Sequence, residues 1–127
     1  MIAVDTSALM AIVLDEARAP LCRKILAEET HVLLSAATMA EALIVAARRN
    51  VGDELAELIE GLGVEVIVVT EAAARRVARA YELWGKGMHP AGLNLCDCFA
   101  YDLAKAHDCP LLFVGDDFSK TDVASAL

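Results

Sequence analysis

At 127 residues the chain has the length of one domain, expected to span 1–127, and can bury roughly two-thirds of its unfolded surface. Its 57% apolar and 24% charged residues suit a packed core and exclude a disordered chain; no run of about 18 uncharged apolar residues is present to span a membrane. A formal net charge of −8 tells against a general polyanion binder, because phosphate backbones call for a basic footprint.

The start, Met1-Ile2-Ala3-Val4-Asp5, has no basic leader or long apolar stretch, so a cytoplasmic protein with no membrane contact is expected. Ile2–Val4 predicts a buried strand that delivers Asp5 at its C-terminal end. Thr6-Ser7 is read as the cap of a helix over Ala8–Leu14, and a second helix is predicted over Glu16–Glu28. His31–Leu34 predicts a strand, and Ser35 caps a helix over Ala36–Arg49. After the break at Asn50-Val51-Gly52, a helix is predicted over Asp53–Leu62, stopped by Gly61 and Gly63. Glu65–Val69 is a β-branched strand, and Thr70 caps a helix over Glu71–Trp84 that Gly85 ends. Lys86–Leu95, with two glycines and Pro90, is a loop, followed by a helix over Cys96–His107. Pro110 introduces the last strand, Leu111–Val114, and Gly115 turns the chain into Asp116-Asp117; Phe118–Leu127 receives no element. Strands alternating with helices predict an α/β fold with a parallel sheet, whose ligands sit beyond the C-terminal strand ends. The four cysteines lack zinc or redox spacing and are read as buried thiols.

The carboxylates carry the functional signal. Asp5 ends a strand, where a helix cap is the plain alternative. Glu41 lies in an apolar helix with no opposite charge at positions 37, 38, 44 or 45, so it requires a partner, a metal or solvent. Asp97 opens an apolar helix, where a cap is again possible, and Asp116 and Asp117 repel each other across one peptide bond. Carboxylates gathered from separate segments suit Mg²⁺ or Mn²⁺, ions that activate water for attack on a phosphodiester. From Asp97 to Asp122 six acids face only Lys105 and Lys120, whereas arginines collect at Arg48-Arg49 and at Arg75, Arg76 and Arg79. The second arginine group is a candidate RNA-backbone track, with a solvated helix face as its alternative. Spacing alone leaves the nuclease and structural readings level.

The ordered segments Ile2-Ala3-Val4-Asp5-Thr6-Ser7-Ala8-Leu9, Met39-Ala40-Glu41-Ala42, Ala91-Gly92-Leu93-Asn94-Leu95-Cys96-Asp97-Cys98-Phe99-Ala100-Tyr101 and Pro110–Asp122 change that balance. Together they resemble PIN-domain proteins, specifically the VapC-type toxins of toxin–antitoxin pairs. The resemblance implies a PIN-like three-layer sandwich, with a central, mostly parallel sheet flanked by helices. It implies an endoribonuclease dependent on Mg²⁺ or Mn²⁺. Asp5, Glu41 and Asp97 fall on its first three acidic positions, and Asp116 or Asp117 on the fourth, with the choice open. Ser7, Thr121 and Asp122 fall on supporting positions, with Ser7 expected to orient Asp5. The implied partners are RNA, a VapB-type antitoxin and a second copy in a homodimer.

Two departures stand out. Cys96 replaces the glycine usual before the third aspartate, and Val114 replaces a common lysine before the Gly-Asp-Asp turn; neither removes a carboxylate. A phosphotransfer receiver fails because Asp5 stands alone and no lysine follows the last strand. A haloacid-dehalogenase-type phosphatase fails because position 7 is serine. The remaining alternative is a non-cleaving PIN-like module that binds RNA or a partner.

Overall fold

In the computed structural model, which describes all 127 residues, strand β1 (Ile2–Val4) lies inside a four-stranded sheet. It pairs in parallel with β2 (Val32–Ser35) through Ile2–Val32 and Ala3–Leu33, and with β4 (Leu111–Leu112) through Ala3–Leu111 and Val4–Leu112. Strand β3 (Glu65–Ile67) pairs in parallel with β2, giving the order β3-β2-β1-β4. Helices α1 (Thr6–Val13) and α2 (Ala19–Glu28) join β1 to β2, and α3 (Ala36–Arg48) and α4 (Gly52–Leu62) join β2 to β3. Helices α5 (Glu71–Trp84) and α6 (Leu95–Ala106) then carry the chain to the opposite side of β1. The strand order therefore reverses at β1, and Asp5 follows β1 at that switch point, where open α/β sheets bind ligands.

Side-chain alternation along the strands divides the interior into two cores. Ile2 and Val4 face one way, packing with Leu34, Leu112 and residues of α1 to α4. Ala3, Leu33 and Leu111 face the other way, packing with Val77, Leu103 and Ala104 of α5 and α6. The result is the helix–sheet–helix sandwich expected from the sequence. Fully buried side chains such as Leu9, Leu34 and Leu112 each contribute about 1.5–3 kcal/mol of transfer energy to it.

Several boundaries differ from the sequence expectations for local reasons. Helix α1 begins at Thr6, because Asp5 is its cap and accepts from the Ser7 amide; Thr6-Ser7 does not cap it. Helix α2 begins at Ala19, with Pro20 in the first turn and Asp15 at a positive φ of 52° breaking the chain before it. Gly61 lies within α4, which stops at Gly63 in the left-handed region. Strand β3 ends at Ile67, leaving Val68 and Val69 exposed beyond it. The backbone of α6 starts at Leu95 under an Asn94 cap. β4 is only two residues long, but the chain end runs beside it. The Leu111 amide donates to the Ala124 carbonyl at 2.8 Å and the Ala126 amide to the Leu111 carbonyl at 3.0 Å.

Helices α5 and α6 are tied by an ion pair that the sequence did not reveal. Arg76 Nε donates to Asp102 Oδ1 at 2.8 Å and its terminal nitrogen to Oδ2 at 3.2 Å. The Asp102 side chain is only 10% exposed, so removal of its partner leaves a mostly buried carboxylate unpaired. Arg76→Met is expected to cost about 1–2 kcal/mol in urea unfolding, whereas Arg76→Met with Asp102→Leu should recover most of the loss.

Candidate active site

Asp5 is 4% exposed at the end of β1, and one oxygen does all its capping work. Its Oδ2 accepts from the Ser7 amide at 3.0 Å and from Ser7 Oγ at 2.6 Å. Ser7 Oγ in turn accepts from the Val114 amide at 3.0 Å, so one hydroxyl joins the ends of β1 and β4. Because that contact uses the backbone of residue 114, it needs no lysine there. Ser7→Ala removes both side-chain bonds; it is expected to cost about 1–2 kcal/mol in chemical unfolding and to loosen Asp5.

Asp97, 9% exposed, is the third residue of α6. Its Oδ2 accepts from the Asn94 amide at 3.0 Å, while Asn94 Oδ1 accepts from the Asp97 amide at 2.8 Å. Asp97 is therefore the reciprocal member of a capping box, and Asn94 is the cap. Asn94-x-x-Asp97 was a readable signal for this arrangement. Each of Asp5 and Asp97 leaves Oδ1 without a protein hydrogen bond.

Glu41 is half-buried on α3 and receives a 2.5 Å hydrogen bond from Thr6 Oγ1. Thr6 thus supplies the partner that Glu41 lacks along its own helix. The turn at Gly115, whose φ of 100° favours glycine, presents Asp116 and Asp117 to solvent.

These groups feel one another. Burial raises the Asp5 pKa, the Ser7 bonds offset part of the rise, and the charge of Glu41 adds to it. Burial, followed by the charges of Asp5, Asp117 and Glu41, pushes Asp97 up to about 6 despite the Asn94 bond. Burial and the neighbouring Glu41 push the Cys96 thiol up to about 11, which disfavours a reactive thiolate at neutral pH. Asp117 is the turn aspartate whose charge reaches Asp97, whereas Asp116 lines a cleft that Asp117 does not.

No three His, Cys, Asp or Glu side chains are arranged to enclose a metal ion. Mg²⁺, however, is commonly held by only one or two carboxylates, with water completing its shell. The free oxygens of Asp5 and Asp97, on mutually repelling buried carboxylates, fit that donor chemistry.

The other expected site residues lie elsewhere. Asp122 accepts from Tyr101 Oη at 2.6 Å and from Lys105 Nζ at 3.2 Å, fastening the tail to α6 instead of joining the carboxylates. Thr121 Oγ1 donates to the Phe118 carbonyl at 2.8 Å and shapes a local turn. On α5, Arg75 stands 3.6 Å from Glu71 and Arg76 is held by Asp102; Arg79 alone of the three has no ionic partner. The expected arginine track thus has one uncommitted cation. Of the cysteines, Cys22, Cys98 and Cys109 are buried as expected, while Cys96 is only partly buried.

The fold agrees with comparisons to known proteins. The PIN domain family model matches residues 2–124. The chain belongs to the PIN-domain family. Its VapC-type character follows from relatives matched over nearly their full lengths. A VapC ribonuclease of Mycobacterium bovis is 40% identical over 96% of this chain and 95% of its own. A ribonuclease VapC of Mycolicibacterium smegmatis is 41% identical over 96% and 97%, respectively. The crystal structure of Mycobacterium tuberculosis VapC20, a Sarcin-Ricin loop cleaving toxin, superposes with a TM-score of 0.78 at 20% identity, covering 99% of this chain and 98% of that one. The VapBC2 structure from Rickettsia felis gives a TM-score of 0.70 at 16% identity, covering 98% and 96%. These two structures support the PIN fold. No helix of the PIN chain is long and apolar enough to cross a membrane.

Proposed function

We propose that the chain is an Mg²⁺- or Mn²⁺-dependent endoribonuclease, the toxin of a VapBC-type pair acting in the cytoplasm. The observation that carries the reading is a pair of buried, mutually repelling carboxylates, Asp5 and Asp97, each with an unbonded oxygen at the sheet switch point. Burying two like charges without a counter-charge is costly, and a bound cation offsets that cost. The ribonuclease names of relatives about 40% identical support RNA as the substrate.

Such an ion supplies Lewis-acid activation of a water nucleophile and stabilises charge at the phosphoryl group. Asp5 and Asp97 would hold it, with Asp117 assigned to the fourth acidic position. Ser7 fixes the rotamer of Asp5, and the Asn94 capping box fixes that of Asp97. Thr6 orients Glu41, leaving its second oxygen to hold a water at the rim. The implied partners are RNA, a VapB-type antitoxin and a second copy of the chain; the −8 charge suits a basic antitoxin segment.

The test is cleavage of end-labelled RNA by purified protein with Mn²⁺ and with EDTA, alongside Asp5→Asn. Metal-dependent cleavage lost in Asp5→Asn is expected. Persistence of cleavage in EDTA or in the variant overturns the metal-nuclease reading, and no cleavage under any condition favours the non-cleaving module.

A further inference from the structure

Beyond the carboxylates, across the Gly115-Asp116-Asp117 turn, lies a cleft of about 620 Å³, within the usual range of ligand pockets. Its walls include Val114, Phe118, Val123 and Leu127, and Arg18 and Asp116 contribute opposite charges. The cleft borders the candidate active site at Val114, a lining residue whose amide bonds the serine that orients Asp5. Arg18, at the start of α2, is exposed and has neither an ionic partner nor a side-chain hydrogen bond, whereas nearby Arg23 is engaged with Asp15.

We infer that this cleft takes one nucleotide of single-stranded RNA flanking the scissile phosphate, with its base against the apolar walls and its phosphate at Arg18. The inference rests on the ribonuclease reading and adds a selectivity element to it. Base faces pack on apolar walls with little sequence preference, and an arginine on the rim offsets the phosphate charge. Asp116 supplies what those two contacts lack: a carboxylate accepts from an exocyclic amino group, as on cytosine, whereas uracil has no amino group and offers it only the ring N3–H. The cleft therefore favours an amino-bearing base over uracil. It also gives Asp116 and Asp117 different tasks, one reading the base and the other facing Asp97.

The test compares the full-length protein with Arg18→Glu and Ser125→Trp; Ser125 lines the cleft and is exposed. Three readouts are used: RNA cleavage, hydrolysis of bis(p-nitrophenyl) phosphate, which has no flanking nucleotide, and amide NMR shifts with 2′-O-methyl hexacytidylate or hexauridylate. Both variants are expected to lose about tenfold in RNA cleavage while keeping the small-substrate rate. The cytidine oligomer should bind about fivefold more tightly than the uridine one and shift the amides of Ser119, Val123 and Ser125; Asp116→Asn should narrow that gap. RNA cleavage unchanged in both variants overturns the cleft and leaves the ribonuclease reading intact. If the wild type cleaves neither substrate, shifts in the cleft amides still support nucleotide binding although the ribonuclease reading fails. Absence of those shifts, or their appearance only with an antitoxin peptide, overturns the cleft assignment.

Discussion

Asp97→Asn is expected to lower RNA cleavage at least about a hundredfold at saturating Mn²⁺. It should also weaken Mn²⁺ binding, read directly by electron paramagnetic resonance of the free ion. The substitution is informative because it separates charge from structure. The asparagine carbonyl can still accept from the Asn94 amide, so the start of α6 remains capped and the fold is retained. Loss of activity with an unchanged circular dichroism spectrum therefore reports the missing charge. Cleavage within a fewfold of wild type would remove Asp97 from the mechanism.

The same carboxylate gives the metal-free protein an unusual pH profile. The Asp97 pKa in the folded chain is about 6, against an ordinary value of 3.8, so the folded state binds this proton more tightly than the unfolded state. The stability it contributes is complete below the unfolded value and is lost as pH rises through the folded one. In EDTA, stability should fall by on the order of 1 kcal/mol between about pH 5 and about pH 8 from Asp97 alone, with Asp5 acting in the same direction. Most paired carboxylates do the opposite. Mn²⁺ at about one hundred times its dissociation constant should add about 2.7 kcal/mol at the higher pH and reverse the trend. Thermal melting across pH, with EDTA and with Mn²⁺, checks both halves. A metal-free stability that is flat or rises across this range would contradict the burial of Asp97, and an unmoved melting temperature with Mn²⁺ would contradict the cation site.

Much of the architecture was legible because it is written locally. Ser35 and Thr70 cap the helices they were expected to cap, the apolar run at Ile2–Val4 became an inner strand, and the run expected over Leu111–Val114 gave the shorter edge strand Leu111–Leu112. Glu41 was recognisable as a charge without a helical partner. What supplies the partner was not recognisable, because Thr6 lies 35 residues away and meets it only after α1 and α3 pack. The Arg76–Asp102 pair was hidden for the same reason, 26 residues apart. Asp122 fell on a supporting position by resemblance, and its partners, Tyr101 and Lys105, lie 21 and 17 residues away, out of reach of a local reading. Asp5 and Asp97 each invited a choice between helix end and active site. The geometry gives the helix end in each case and leaves the second oxygen free for the role proposed above.

The 107-residue separation between Ser7 and Val114 has a consequence for how the protein comes into being. Strand β1 is made well before its β4 neighbour and the Asp116-Asp117 turn. At about 5–20 residues per second of synthesis, Asp5 waits several seconds or more for the strand that completes its surroundings. Closing so long a loop is entropically unfavourable until the intervening helices have folded. A nascent chain therefore lacks the assembled carboxylate group until the segment after β4 has emerged from the ribosome, and a partner arriving in that interval meets an unfinished candidate site.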